Sequence, residues 1–187
     1  MSNLKALKDL VEAYMGKGQE DFLAEFPDSL MILDNVGDDA GEVGFQTIQV
    51  GPGNSSDPKE RALTNILGKL GGDTTKWIYP MHNETGKFAC MLTVGRAANS
   101  DMRLNVASLS KFHAYLTHVA RENAWYLADA GSSNGTFLNG EELPQSHGKK
   151  KLDSGSAIRF GPDVFATFYK AEDFWELLQS AVGEAQS

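Results

Sequence analysis

Ser110, Lys111 and His113 stand together in "SLSKFHAYLT" (108–117), just ahead of an apolar, β-prone run. A serine three residues from a histidine raises the question of a nucleophile and its base. Nucleophilic catalysis needs a third, orienting group, all within mutual hydrogen-bond reach. No G-x-S-x-G elbow surrounds Ser110. If residues 110–113 lead into a strand, Ser110 and His113 have opposite parity and point to different faces. The pattern points away from a hydrolase, and no enzymatic activity is expected. Metal chemistry has no better footing. His82, His113, His118 and His147 lack ligand spacing. "DNVGDDAGE" is acidic without the calcium-loop pattern, and "GKLGGDTT" lacks the Walker spacing. Cys90 is the only cysteine and lies in a strand pattern, so it is expected to be buried and inert. No metal and no cofactor are expected.

Binding chemistry fits these residues better. "TVGRAANSD" puts Arg96 on a Gly-led loop after a strand. "DAGSSNGTFLNG" (129–140) is a polar loop holding Ser132, Ser133, Asn134, Gly135 and Thr136 between two strand patterns. If the loops at 95–101, 108–113 and 131–136 share one end of a fold, they bring together a guanidinium, an ammonium, hydroxyls and an amide. None of these is a general base poised at neutral pH. All hydrogen-bond an anion or a peptide backbone, which is the composition of a phosphate-recognition rim.

Such loops need elements to hold them. From Thr75 the chain breaks into short β-prone runs divided by turns: "KWIYPM", "KFACMLTV", "HAYLTHV", "AWYLADA", "TFLNG", "SAIRF" and "VFATFYK". "HNETGK" reads as a hairpin turn and Asn139-Gly140 as a two-residue turn. Strands at this spacing predict an antiparallel β-sandwich or barrel, and sandwich loops cluster at its two ends. Ahead of this region, Leu4, Leu7, Val11 and Tyr14 recur at helical spacing. "QEDFLAEFP" predicts a second helix stopped before Pro27, and Ser56 or Asp57 caps a third from Pro58 to about Leu70. "FQTIQV" (45–50) alternates like a strand. At the other end, Phe174, Leu177, Leu178 and Val182 make one face of a closing helix. The expected division is 1–74, an acidic and partly helical N-terminal region; 75–170, a mainly β sandwich; and 171–187, a C-terminal helix and tail.

Charge follows this division. Residues 1–74 hold 6 basic and 13 acidic side chains, residues 75–170 hold 11 and 8, and residues 171–187 hold 4 acidic and no basic ones. The whole chain has a formal net charge of −8. A mildly basic middle between acidic flanks points to an anionic ligand for the middle. The flanks repel phosphates of duplex nucleic acid, so no nucleic-acid partner is expected. No stretch approaches the roughly 20 apolar residues of a membrane span, and the first residues lack the apolar core of a signal peptide. No membrane association is expected, and the expected location is cytoplasmic.

Gly95-Arg96, Ser110-x-x-His113, Asn134-Gly135-Thr136, Asn139-Gly140 and "LDSGSAIRFG", taken in order, resemble the forkhead-associated (FHA) domain over about residues 75–170. The resemblance implies a β-sandwich that binds phosphothreonine peptides through loops at one end. It implies that Arg96, Ser110, Lys111 and Ser133 contact the phosphate and that Asn134 holds the peptide main chain. His113 would brace the loops, with Gly95, Gly135 and Thr136 shaping them. One departure is Gly155-Ser156, where the family usually has Gly-Asp in that turn. The expected function is a phosphothreonine-dependent reader in Ser/Thr kinase signalling, its partner a phosphorylated protein such as a kinase or a kinase substrate. The alternative is a phosphate-independent scaffold that uses the fold and the N-terminal region as interaction surfaces.

Overall fold

A computed structural model describes residues 4–34, 57–71, 76–81, 90–145 and 148–186. Its elements run β1 (Lys5–Ala6), α1 (Leu7–Tyr14), α2 (Gln19–Glu25), β2 (Ser29–Asp34), α3 (Pro58–Lys69), β3 (Trp77–Met81), β4 (Met91–Gly95), β5 (Met102–Arg103), β6 (Ala114–Val119), β7 (Ala124–Asp129), β8 (Thr136–Leu138), β9 (Glu141–Glu142), β10 (Lys150–Lys151), β11 (Ser156–Phe160), β12 (Val164–Lys170) and α4 (Ala171–Gln186). One sheet has the order β1-β3-β2-β12-β11-β8-β9, the other β10-β7-β6-β4-β5. The pairs are antiparallel except β4–β5, which is parallel. The molecule is a β-sandwich with a layer of helices.

The core between the sheets follows from alternation. In β12 the residues Val164, Ala166 and Phe168 point inward, and they meet Leu92, Val94, Leu116 and Leu127 of the facing sheet. Strand β2, "SLMILD", has no such alternation, because it is buried on both faces. Met31 and Leu33 join the core between the sheets, while Leu30 and Ile32 join a second core under the helices. A strand covered on both sides reads as a continuous apolar run, and this one was not foreseen from the sequence. It lies between β3 and β12, so the sandwich draws on both sides of residue 74.

The second core is built around aromatic rings. Phe22 stacks on Phe26 at 4.8 Å and meets Trp175 at 5.3 Å and Tyr14 at 5.2 Å. Phe22, Phe26 and Phe174 are fully buried, and each such side chain stabilises the fold by about 1.5–3 kcal/mol. Asp57 caps α3 by accepting from the Lys59 N–H at 2.9 Å, and Pro58 opens that helix. Asn65 Nδ2 donates to the Ala181 carbonyl at 3.1 Å, which ties α3 to α4. Asn139 and Gly140, at φ 51° and 87°, make the left-handed turn between β8 and β9.

Cys90 corrects an expectation: it is exposed, one residue ahead of β4, because the strand begins later than the apolar run suggests. "FQTIQV", "HNETGK", His82 and His147 lie outside the described residues.

Candidate functional site

The β4–β6 pairing continues past the strands and locks two loops together. Val94 O accepts from His113 N at 2.8 Å, Ser110 O from Arg96 N at 3.1 Å, and Lys111 O from Ala97 N at 3.1 Å. The approach is close enough to dictate Gly95. A Cβ there would lie 2.3 Å from Lys111 O and 3.0 Å from Ser110 O, both backbone atoms. Leu104 N donates to Gly95 O at 3.0 Å, which closes the 96–103 loop onto the same point.

His113 joins these loops to the next. It is fully buried and meets Phe160 edge-on at 6.0 Å. Its Nδ1 accepts from the Ser110 N–H at 3.1 Å, so the ring proton sits on Nε2, which donates to Gly135 O at 3.1 Å. Burial lowers the imidazole pKa, against the Gly135 bond and the nearby Asp129, which favour the charged form. Both ring nitrogens are engaged by backbone, so neither takes a proton from the Ser110 hydroxyl. That geometry cannot activate a nucleophile.

The 131–136 loop is organised from beneath by Asp129. This carboxylate is 4% exposed. One oxygen accepts the N–H groups of Gly131 and Ser132 at 2.8 and 2.9 Å; the other accepts the hydroxyls of Ser132 and Thr136, each at 2.6 Å. Burial pushes its pKa up, but the bonds from Ser132, Thr136 and Gly131 outweigh that and hold it below the ordinary carboxylate value. Gly135, at φ +74°, turns the loop so that its carbonyl receives both His113 Nε2–H and the Gly161 N–H, the latter at 2.9 Å.

Five side chains are left on the outer surface of this framework. Arg96 is exposed; its Nε donates to Leu109 O at 2.9 Å, and its two terminal nitrogens have no partner among the described residues. Ser110 is half-buried; its Oγ accepts from Ser133 N at 3.1 Å, and its hydroxyl proton has no acceptor among the described residues. Lys111 and Ser133 are exposed, their side chains likewise unpartnered there. Asn134 is exposed and donates one Nδ2 proton to Ser108 O at 2.8 Å, which leaves Oδ1 and the second proton outward. The structure thus joins Arg96, Ser110, Lys111, Ser133 and Asn134 in one chain of contacts at one end of the sandwich.

The model of the FHA domain family matches residues 92–161. This part of the chain is an FHA domain. The match runs from β4 to the end of β11 and contains all three loops. Solved FHA structures are similar to it. That of the Chlamydia trachomatis CT664 protein is 23% identical, covers 46% of this chain and 79% of its own, and has a TM-score of 0.38. The N-terminal FHA domain of S. cerevisiae Rad53p, solved with a phosphothreonine peptide, is 23% identical over 53% of this chain and 88% of its own, at a TM-score of 0.43. An FHA domain of an Arabidopsis thaliana hypothetical protein is 26% identical over 43% and 66%, at 0.40. No curated protein matches the chain.

Asp129 was given no role in the sequence reading, and Gly161 entered it only as the last residue of "LDSGSAIRFG". Asp129 sat unremarked inside the strand pattern "AWYLADA"; the available signal was an aspartate three residues before a serine, the pattern of a side chain folding back onto its own turn. Gly161, at φ +59°, packs within 3.4 Å of Asn134 Cβ at the position a Cβ would fill.

Proposed function

We propose that the FHA domain binds a phosphothreonine-containing protein and so reads the output of a Ser/Thr kinase. One observation supports this most: the unpartnered donors of Arg96, Ser110, Lys111 and Ser133 share one exposed rim, and two of them carry full positive charge. A phosphothreonine brings about −1.5 to −2 charges and three strong acceptor oxygens. Each charge-assisted bond contributes roughly 1.5–3 kcal/mol, so a few of them, after ordering costs, reach the −8 kcal/mol of micromolar affinity. Most of the affinity then resides in the phosphate. Asn134, with one acceptor and one proton outward, suits a peptide bond next to it. Phosphothreonine, rather than phosphoserine, follows from the likeness of these loops to the family's pattern.

The test is calorimetric titration of the full chain with a degenerate phosphothreonine peptide library. Binding is expected with phosphothreonine, weaker with phosphoserine, and absent without phosphate. Arg96→Ala and Ser110→Ala each lower affinity ten-fold or more. If both variants bind as well as the unmodified chain, the rim is not the binding site.

A further inference from the structure

A second site lies at the opposite end of the sandwich. Strand β7 runs from Ala124 to Asp129, and five steps of about 3.3 Å put about 17 Å between its ends. At the Ala124 end a cavity of about 30 Å³ opens. Trp125 and Phe168 line it from facing sheets, and Asp28, Ser29, Lys151 and Lys170 line it as well. Nothing in the phosphopeptide reading uses these residues.

The lining is rich in donors without acceptors. Trp125 is 4% exposed, and its buried Nε1–H has no hydrogen-bond partner among the described residues. An indole N–H only donates, and buried donors are paired in nearly all folded proteins. The ring is held by stacking on His118 at 4.9 Å. Ser29 is buried, and its hydroxyl has no partner among the described residues. Lys151 comes from β10 in one sheet and Lys170 from β12 in the other. Both are exposed, and neither ammonium has an acidic partner among the described residues. In a chain of 25 acidic and 17 basic residues, two unneutralised lysines on one cavity do not arise from surplus base. Asp28 is the one carboxylate on the lining among the described residues, against the two lysines there.

We infer that this cavity takes the tip of an oxyanion, a carboxylate or phosphoryl group whose body stays outside. At about 30 Å³ the cavity exceeds the roughly 10–15 Å³ that admits one water, so it takes one or two oxygens of a larger group. An oxygen there accepts from Ser29 Oγ beside the buried Trp125 indole, while Lys151 and Lys170 compensate its charge. A neutral water supplies the acceptor but leaves both lysines uncompensated.

The Trp125 indole N–H is its own reporter. The full chain, labelled with ¹⁵N, is titrated separately with inorganic phosphate and with acetate, and Trp125→Phe assigns the cross-peak. The expected result is a saturable shift of the Trp125 indole, retained in Arg96→Ala and weakened ten-fold or more in the Lys151→Gln/Lys170→Gln double variant. Response to phosphate alone assigns a phosphoryl ligand, and response to acetate assigns a carboxylate. Both lysines are exposed, so the double variant tests charge rather than folding. No saturable shift with either anion, or the same shift in the double variant, overturns the inference. A shift abolished by Arg96→Ala also overturns it, by tracing the signal to the rim.

Discussion

Gly95→Ala tests whether the rim depends on close backbone approach. The added methyl would sit 2.3 Å from Lys111 O and 2.9 Å from the carbon behind it. Relief requires the 110–111 backbone to retreat by about 1 Å, an overpacking strain of roughly 1–3 kcal/mol. The retreat also stretches the Arg96 N–Ser110 O and Ala97 N–Lys111 O bonds, both 3.1 Å long, at about 0.5–1.5 kcal/mol each. The total loss is about 2–6 kcal/mol, roughly 4–24 °C in Tm for a chain of this size. Binding suffers separately, because the same shift moves Ser110 and Lys111 away from Arg96. A phosphothreonine peptide selected on the unmodified chain is expected to bind the variant at least ten-fold more weakly. Differential scanning calorimetry reads the first effect and titration calorimetry the second. A variant with unchanged Tm and unchanged affinity refutes the argument that contact distance dictates this glycine.

Gly68→Ala should act in the opposite direction: Gly68 is exposed in α3 with nothing within 4 Å of a Cβ, so alanine raises stability by about 0.5–1 kcal/mol, read as a higher urea midpoint. The lowered pKa of His113 makes stability depend on pH, because the unfolded chain takes up the imidazole proton near 6.5 while the folded chain resists it. This contribution is complete above pH 6.5 and falls as the pH drops from there toward the folded-state pKa, so the urea midpoint should decline from pH 7.5 to 5; a midpoint no lower at pH 5 than at 7.5 overturns it. Asp129→Asn puts an amide among four donors, so one carboxylate acceptor becomes a donor facing N–H or O–H groups. The expected loss is about 2–4 kcal/mol, with weaker phosphopeptide binding although Asp129 lies beneath the rim; circular dichroism melts and titration calorimetry check both.

Elements that face water on one side were legible in the sequence, because their pattern alternates. β6, β11 and β12 and the capped helix α3 fall close to where periodicity and turn residues predict them, and β7 where its bounding turns do. Strand β2 was not legible, because burial on both faces removes the alternation that marks a strand. The short β5 has only two residues and a parallel partner, too little for any pattern. At the site, Gly95, Arg96, Ser110, His113 and the 133–136 stretch were readable because loops that hold charge and hydroxyls stand out between apolar runs. Asp129 did not stand out, since a strand pattern absorbs one acidic residue and its partners are hydroxyls and backbone N–H groups rather than a basic side chain. The division at residue 74 followed a change of composition, yet β2 and β3 pair across it through five residues.

These differences separate two classes of residue around the rim. Arg96, Lys111, Ser133 and Asn134 are exposed and keep donors or acceptors outward. His113, Asp129, Gly95 and Gly135 touch the outside little or not at all, yet each joins two segments of backbone. Binding a phosphate with preset donors costs less than ordering them on arrival. The second class therefore contributes to affinity through order, and the two classes should respond differently to substitution. Loss of an exposed cation lowers affinity in proportion to the charge removed and becomes smaller in high salt, where exposed charges are screened. Loss of His113 or Asp129 loosens several donors together, so its effect on affinity should persist in high salt and appear with a loss of stability.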